Sequence, residues 1–294
     1  MVSYIQCDDL MKVFKLGNLE VQALRGLSMK IEQGEMIAIV GPSGSGKTTL
    51  LNIIGGLARA TAGKTWIAGR DITNASNAEL GKLRQKVVGH IFQTLNLIPT
   101  LTAYENVELP MLAVNTPANE RKKRTTDLLE RVGLTLRAKH KPDELSGGEK
   151  QRVAIIAALA NDPPILICDE PTGDLDTETG AKIVRFLHEV NKEMGKTVLV
   201  VTHDPAIARQ TDRIYRIMDG TIISMQKPSE SAAASAALMA QMYKDRLAET
   251  NIEISDLQLM YKKQNIDAAN FAERWHNLNQ TKHFIEQELH RMGF

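Results

Sequence analysis

The stretch MIAIVGPSGSGKTT, residues 36–49, constrains the fold of this chain more than any other feature. It begins with a short apolar run, which is typical of a strand buried in a parallel sheet. Gly41, Gly46, Lys47 and Thr48 then fit the pattern GxxxxGK[ST], and the following TLLNIIGGL has the character of a helix. A strand, a glycine-rich turn and a helix in this order predict a P-loop, which binds phosphate through backbone N–H groups and a helix N-terminus.

The residues that follow the glycines indicate a nucleotide with its metal. We expect Lys47 to reach the β- and γ-phosphates, and the Thr48 hydroxyl to ligate Mg²⁺, a hard cation that prefers oxygen. A plain glycine-rich turn would explain the glycines but not the strand, the helix and the Lys–Thr pair together. The P-loop by itself still leaves many functions open.

Two further apolar runs, PILICDEP (164–171) and TVLVVTHD (197–204), predict buried strands separated by helical segments, and hence a mostly parallel α/β sheet. Asp169 and Glu170 end the first run, and His203 follows the second. Ligands of α/β sheets collect at the carboxyl ends of the strands. The sequence therefore predicts that these three residues share one site.

Each of these residues has a predicted role and a plainer alternative. We expect Asp169 to hold Mg²⁺ through its water, and Glu170, on the other face of the strand, to activate water at the γ-phosphate. We expect His203 to hydrogen-bond the γ-phosphate. The alternatives are an acidic turn before Pro171 and a structural histidine.

Bulk properties exclude several classes of function. Of the 294 residues, 43% are hydrophobic and 24% charged, and the net charge of +1 gives no global field to attract nucleic acid or an anionic membrane. Two cysteines, Cys7 and Cys168, form no disulfide framework and fit a reducing compartment. The run VAIIAALA (153–160) is far too short to span a bilayer, so action at a membrane requires another subunit.

A second pair of glycines lies in DELSGGEKQR, residues 143–152. Ser146, Gly147 and Gly148 precede a helix-like run, which would suit a second phosphate cradle. A helix N-terminus with a serine cap explains the same residues equally well. The local chemistry leaves both interpretations open.

Six motifs taken together indicate a family. GPSGSGKTT, IFQ, LSGGEKQR, ILICDEP, GDLD and VVTHD occur in the order found in ABC-type ATPases, and the chain resembles the nucleotide-binding subunit of an ABC transporter over residues 1–226. GHIFQTLNLIPTLTAYENVELP (89–110) resembles the branch that handles lipoprotein release, macrolide or peptide export, and cell division. The resemblance implies an α/β P-loop NTPase fold, with a RecA-like core, an antiparallel β subdomain and an α-helical subdomain.

The resemblance also implies why one chain has two cradles. Subunits of this family pair head to tail, and each ATP lies between the P-loop of one and the LSGGE segment of the other. Two ATPs then occupy equivalent sites under two-fold symmetry. On this basis Ser146, Gly147, Gly148 and Glu149 would bind the ATP held by the partner chain.

The remaining site residues follow from matching motif positions. Phe14 would stack on adenine, where the family usually has tyrosine. Gln93 would touch Mg²⁺ and water, Thr49 the α-phosphate, and Asp174 the dimer interface. The implied nucleotide-binding set is Phe14, Gly41, Ser43, Gly44, Ser45, Gly46, Lys47, Thr48, Thr49, Ser146, Gly147, Gly148, Glu149 and Asp174. The implied metal ligands are Thr48, Gln93 and Asp169, and the implied catalytic residues are Lys47, Gln93, Glu170 and His203.

The resemblance implies ATP and Mg²⁺ as cofactors, and a second copy of the chain and an integral membrane permease as partners. An accessory or lipoprotein partner is also expected, nucleic acid is not, and the location would be peripheral, on the cytoplasmic face of the membrane. A chromosome ATPase is disfavoured because no heptad insertion separates Gly41 from Ser146, and a translation factor because such a factor has two P-loop domains where we find one. A non-transporting regulator of a membrane partner, such as a cell-wall hydrolase activator, stays open.

Residues 227–294 read as a helical extension that begins with the Ala/Ser-rich segment QKPSESAAASAALMAQ. One apolar helical stripe contains Phe271, Trp275, Leu278, Ile285, Leu289 and Met292. His276, His283 and His290 recur every seven residues, about 10 Å apart, too far to share a metal, so they predict a solvated face. All predicted ATP-site residues precede this tail, and we expect it to be an interaction module. Docking on its own ATPase domain is the alternative.

Overall fold

The computed structural model describes residues 3–16, 19–173, 175–202, 204–227, 232–263 and 266–291. In chain order the strands are β1 (Ile5–Leu16), β2 (Leu19–Ile31), β3 (Met36–Val40), β4 (Ala62–Ile67), β5 (Arg70–Asp71), β6 (Val88–Ile91), β7 (Ile165–Asp169), β8 (Thr197–Val201), β9 (Arg213–Met218) and β10 (Thr221–Gln226). The helices are α1 (Lys47–Ile54), α2 (Asn77–Lys86), α3 (Ala103–Leu112), α4 (Ala118–Arg131), α5 (Gly147–Ala158), α6 (Thr177–Lys192), α7 (Pro205–Ala208), α8 (Ala232–Lys262) and α9 (Ala268–Arg291).

A six-stranded sheet in the order β10-β9-β3-β8-β7-β6 forms the centre of the molecule. Its members from β9 to β6 are parallel, and β10 pairs antiparallel with β9 at the edge. Every residue of β3 and β8 is buried, which explains why these strands are continuous apolar runs. The predicted parallel sheet is confirmed, and β3, β7 and β8 end at the same edge.

A second, antiparallel sheet in the order β2-β1-β4-β5 covers one face of α1 and the central sheet. Ile5 and Leu24 of this sheet share a hydrophobic core with Ile37 of β3 and Leu50 of α1. This sheet corresponds to the antiparallel β subdomain implied by the family resemblance.

The α-helical subdomain implied by the family resemblance consists of α3, α4 and α5, and its core continues to α6. Thr102 caps α3, since the N–H of Glu105 donates to its hydroxyl at 3.2 Å and the Glu105 carboxylate accepts the Thr102 N–H at 2.7 Å. Val107, Leu128 and Val153 join the three helices in one buried cluster.

The tail is an antiparallel pair of helices, α8 and α9, that packs on the ATPase domain. Ile285 and Leu289 of the predicted stripe are buried against Tyr243 of α8 and Met218 of β9. The structure thus favours the alternative in which the tail docks on its own domain. Met292 lies outside the described residues.

The outward face of the tail agrees with the prediction, because His276, His283 and His290 are exposed. Across the described part of the chain, no helix has both the length and the apolar character needed to span a bilayer.

Candidate active site

The loop between β3 and α1 depends on glycine at two points. A Cβ at Gly41 would overlap the carbonyl oxygen of Ile217, and a Cβ at Gly46 would lie 2.5 Å from the carbonyl oxygen of Ala23. Gly46 also has φ = 102°, a conformation that favours glycine. The loop can therefore wrap closely only with glycine at these positions.

The N-terminus of α1 is arranged to bind an anion. Its N-cap residue is Gly46, which makes no side-chain cap, and its first turn contains no acidic residue. The first N–H groups of a helix have no partner within the helix and carry its positive dipole end. Those of α1 are available to phosphate oxygens, as predicted for a P-loop.

Lys47 places its ammonium group inside the loop. Its Nζ donates to the carbonyl oxygens of Gly41 at 2.9 Å and Pro42 at 2.8 Å. Burial lowers the pKa of Lys47, while the nearby carboxylates of Glu170 and Asp169 raise it. A phosphate in the loop would supply further negative charge to this cation.

Thr48 and Asp169 join the P-loop to the end of β7. The Thr48 hydroxyl donates to Asp169 Oδ2 at 3.1 Å. Burial raises the pKa of Asp169, whereas the hydrogen bond from Thr48 and the charge of Lys47 lower it. Gln93, just after β6, lines the same cavity, so three oxygen-bearing side chains converge there. Their chemistry fits Mg²⁺, which takes a few protein oxygens and completes its shell with water and phosphate.

Glu170 lies at the same edge, but not for the reason predicted. Strand β7 ends at Asp169, so strand alternation does not orient Glu170. Its backbone instead has φ = 48°, and its N–H donates to the carbonyl oxygen of Val201 at 3.0 Å. A left-handed conformation at a non-glycine residue is uncommon and marks a position held by its surroundings.

One cavity of about 540 Å³ collects most of the predicted residues. These are Gly41, Ser43, Gly44, Gly46, Lys47, Thr48, Thr49, Gln93, Asp169 and Glu170. Ser45 is buried in the same loop, and its carbonyl accepts the N–H of Gly220 at 3.0 Å. His203 and Asp174 lie outside the described residues.

The cavity also contains residues that the sequence interpretation missed: Ala23, Gly173, Val201, Phe284 and Gln287. Gly173 and Val201 belong to the recognised motifs GDLD and VVTHD without having been assigned to the site, and Ala23 has no motif of its own. Phe284 and Gln287 belong to the tail helix α9, so the expectation that the whole site precedes the tail is wrong for the walls of this cavity.

Phe14, the predicted adenine contact, is not among the described residues that line the cavity. Its side chain is 42% exposed, and Lys12 Nζ lies 5.0 Å from the centre of its ring. It lies near the outer end of the β1–β2 hairpin, opposite Val21. A role in stacking stays a prediction.

The second glycine pair forms a separate structure. Ser146 is the N-cap of α5: its hydroxyl accepts the N–H of Glu149 at 3.3 Å, and Glu149 Oε2 accepts the Ser146 N–H at 2.8 Å. This backbone hydrogen bond holds the pKa of Glu149 below its usual range, and Arg137, 3.2 Å away, adds to the effect. The serine-cap interpretation is confirmed, and the predicted contact of Glu149 with ATP stays a prediction.

None of residues 146–149, all of them described, lines the P-loop cavity. Gly148 is tightly packed, because a Cβ there would overlap Cγ2 of Thr179. Within one chain, the second glycine pair therefore does not share the P-loop cavity.

Comparisons with known proteins agree with this geometry. The sequence profile described as "ABC transporter" matches residues 24–173. The lipoprotein-releasing system ATP-binding protein LolD of Pseudomonas fluorescens is 45% identical over 221 residues, which are 75% of this chain and 97% of that protein. The macrolide export ATP-binding/permease protein MacB of Brucella melitensis is 40% identical over 253 residues, 86% of this chain but only 38% of MacB.

The fold is shared with a solved cassette. The dimeric structure of the ATP-binding cassette MJ0796, in a post-hydrolysis state bound to ADP and Pi, superposes with a TM-score of 0.72 at 43% identity. It covers 77% of this chain and all of the MJ0796 chain. MJ0796 comes from Methanocaldococcus jannaschii.

The fold and the site together define a P-loop ATPase. The chain belongs to the ABC transporter family, in which it is an ATP-binding and ATP-hydrolysing subunit. The non-transporting alternative is not favoured by these relatives.

Proposed function

We propose that two copies of this chain hydrolyse Mg²⁺-bound ATP in composite sites and thereby drive a conformational change in a membrane permease. The observation that carries the proposal is the cavity in which Lys47, Thr48, Asp169 and Glu170 meet at the carboxyl edge of the central sheet. Phosphoryl transfer requires mainly positioning and charge stabilisation, and this edge provides both.

Within one chain, each side chain has a distinct task. Lys47 and the open N-terminus of α1 bind the β- and γ-phosphates and offset their charge. Thr48 and Asp169, with Gln93, hold Mg²⁺, whose chemistry is to neutralise charge on the phosphate oxygens. Glu170 accepts the proton of the attacking water. His203, by its family motif, hydrogen-bonds the γ-phosphate.

The partner chain completes the site with its residues 146–148. What supports this is that residues 146–148 do not line the P-loop cavity of their own chain. The MJ0796 cassette is described as dimeric in its ADP- and Pi-bound state. The same arrangement in this chain would give two equivalent ATP sites related by a two-fold axis.

A groove next to Gln93 is the proposed docking site for the permease. It has a volume of about 330 Å³ and contains residues of β6, α3 and α5. Leu57, Ile98 and Leu109 in this groove are large apolar side chains that are 38–45% exposed. An apolar groove of this kind suits an amphipathic helix from a partner. The segment just after Gln93 forms one wall of this groove. Docking of the permease there would therefore affect the ATP site through this segment.

The relatives support this assignment. MacB is named as an ATP-binding and permease protein, and LolD as part of a lipoprotein-releasing system. By likeness we place the chain at the cytoplasmic face of a membrane, held there by its permease, and extend the proposal to a lipoprotein or accessory partner.

The hydrolytic role is tested with Glu170→Gln. This change keeps the shape of the side chain and removes the base, so ATP should still bind while turnover falls by about 10²- to 10⁴-fold. Glu130→Gln, on the exposed face of α4, is the matched control and should leave turnover unchanged. Near-wild-type turnover of the Glu170 variant with the permease present would exclude Glu170 as the base.

The docking role is tested by co-purification with the permease from membranes. Leu109→Glu places a charge in the groove and should abolish co-purification, while Leu136→Glu, at a leucine that is 93% exposed elsewhere, should not. Retention of the permease by the Leu109 variant would show that the groove is not its docking site.

A further inference from the structure

The ATP cavity receives two side chains from the far end of the sequence. Phe284 and Gln287 of α9 line the same cavity as Lys47 and Glu170. The recognised motifs end near residue 204, so this contact adds a second source of site residues.

Helix α9 reaches the cavity because the tail is anchored on the strands beside the P-loop. Ile285 and Leu289, which flank Phe284 and Gln287 on the helix, are buried against Met218 at the end of β9. Strand β9 pairs with β3, whose end leads into the P-loop. The tail is thus fixed to the edge of the sheet where the phosphates bind.

A second anchor connects the tail to the P-loop through one turn. Arg246 of α8 forms an ion pair with Asp219 at 2.9 Å, and Asp219 begins the turn between β9 and β10. In the same turn, the N–H of Gly220 donates to the carbonyl oxygen of Ser45 in the P-loop at 3.0 Å. Arg246 also pairs with Glu249 and Glu253 on its own helix, which holds its side chain in place.

The chemistry of the two side chains matches one part of ATP. Among the described residues that line the cavity, Phe284 alone is aromatic. The phosphates are matched by N–H groups and Lys47, whereas the purine base is planar and apolar on its faces. A glutamine amide both donates and accepts hydrogen bonds, as the base edge and the ribose hydroxyls require.

The neighbours of Phe284 keep its ring at the cavity. Tyr243 of α8 packs edge-to-face on it, with ring centroids 6.5 Å apart and an interplanar angle of 70°. Phe14, the residue expected to stack on adenine, is not on this wall. The aromatic surface next to the P-loop therefore comes from the tail.

We propose that the tail helix α9 forms the base-binding wall of the ATP site, with Phe284 against the purine and Gln287 hydrogen-bonded to its edge or to the ribose. This inference rests on the proposed function, namely that the cavity binds ATP. Under this proposal, docking of the tail strengthens ATP binding, and ATP binding strengthens docking of the tail by the same factor.

The test is the affinity of the full-length chain for ATP by titration calorimetry, with inorganic tripolyphosphate as a probe that has no base. Phe284→Ala should weaken ATP binding by about 5- to 100-fold, the usual range for loss of an aromatic contact with a base. Phe284→Leu keeps an apolar side chain and should still weaken it, because the flat ring is lost. Tripolyphosphate should bind all variants equally.

Matched controls exist on the same helix. Gln280 and Gln287 are both exposed, and each pairs with the histidine four residues earlier, at 2.8 and 2.9 Å. Gln287→Ala should weaken ATP binding and Gln280→Ala should not. Since Gln287 is exposed, its replacement leaves the fold intact and tests the site even if a Phe284 variant unfolds.

The outcomes distinguish a failure of the proposed ATP site from a failure of the proposed base-binding wall. If the wild type fails to bind ATP, or Lys47→Ala binds it equally well, the proposed function fails. If the wild type binds ATP and the Phe284 and Gln287 variants bind it unchanged, only the role of the tail is excluded. Tighter ATP binding by these variants would mean that the tail covers the site, and weaker tripolyphosphate binding would mean that it acts through the P-loop. Either result overturns the base-wall assignment.

Discussion

The two glycine-bearing helix N-termini of this chain look alike in sequence but differ in structure. Helix α1 begins at Gly46, with no side-chain cap and no acid in its first turn. Helix α5 begins at Ser146, whose hydroxyl and N–H are both engaged with Glu149. One N-terminus has no side-chain cap, and in the other the Ser146 hydroxyl already accepts one of the first N–H groups, that of Glu149.

This difference gives the two helix N-termini different roles in phosphate binding. An open helix N-terminus with a half-buried lysine binds phosphate within a single chain. A capped N-terminus with a carboxylate in its first turn binds free phosphate only weakly. It is therefore suited to contact an ATP that a second chain already holds. The following predictions test this contrast, in order of expected effect.

Lys47→Ala should have the largest effect, because it removes the cation from the open cradle. We expect turnover to fall by about 10²- to 10³-fold, the range for loss of one charge-stabilising donor, together with a loss of ATP affinity. Lys86→Ala, at an exposed lysine of α2, is the control. Nucleotide binding and turnover at wild-type levels in the Lys47 variant would contradict the division between the cradles.

Gly148→Ala should separate binding from assembly. The added Cβ would overlap Cγ2 of Thr179, so either the Thr179 side chain or α5 has to shift at the capped cradle while the P-loop stays intact. We expect ATP binding by the single chain to be retained and ATP-dependent dimerisation to be lost, as measured by light scattering in the Glu170→Gln background. A dimer that forms with or without ATP would instead assign dimerisation to another surface.

Ser146→Ala should destabilise the fold by about 1 kcal/mol, because it removes the N-cap hydroxyl. Ser76→Ala is a matched control, since Ser76 forms the same capping box with Glu79 at the start of α2. Both variants should lower the melting temperature to a similar degree, and only Ser146→Ala should also weaken ATP-dependent dimerisation. Equal dimerisation of the two would show that the Ser146 hydroxyl acts only as a cap.

Glu149→Gln should have the smallest effect, and its effect should depend on pH. The pKa of Glu149 is lowered in the folded chain by the Ser146 N–H, so its charge stabilises the fold at neutral pH, and this contribution is lost as pH falls through the lowered pKa. The wild type should exceed the variant by about 0.3–1 kcal/mol at pH 7. As the pH falls through this lowered pKa the two melting curves should converge, and a difference that stays constant with pH would exclude the charge as its source.

Much of the site was predictable because its signals are local. Gly41, Gly46, Lys47 and Thr48 are set by the backbone needs of one tight turn and by the chemistry of phosphate. The position of Asp169 next to the P-loop followed from the rule that parallel strands end at one edge of a sheet. Glu170 was assigned to the correct edge, but its orientation comes from a left-handed turn that strand periodicity does not reveal.

The sequence by itself determined the P-loop, the parallel sheet and the helical character of the tail, because each depends on neighbours a few residues apart. Tertiary structure alone decided that the two cradles of one chain do not share one cavity, and that Phe284 and Gln287 line the P-loop cavity. The apolar stripe of α9 shows that this face of the helix must be covered, but it does not show which surface covers it. That choice depends on which distant surface, here Met218 and Tyr243, offers the complementary shape, and no local pattern encodes such a match.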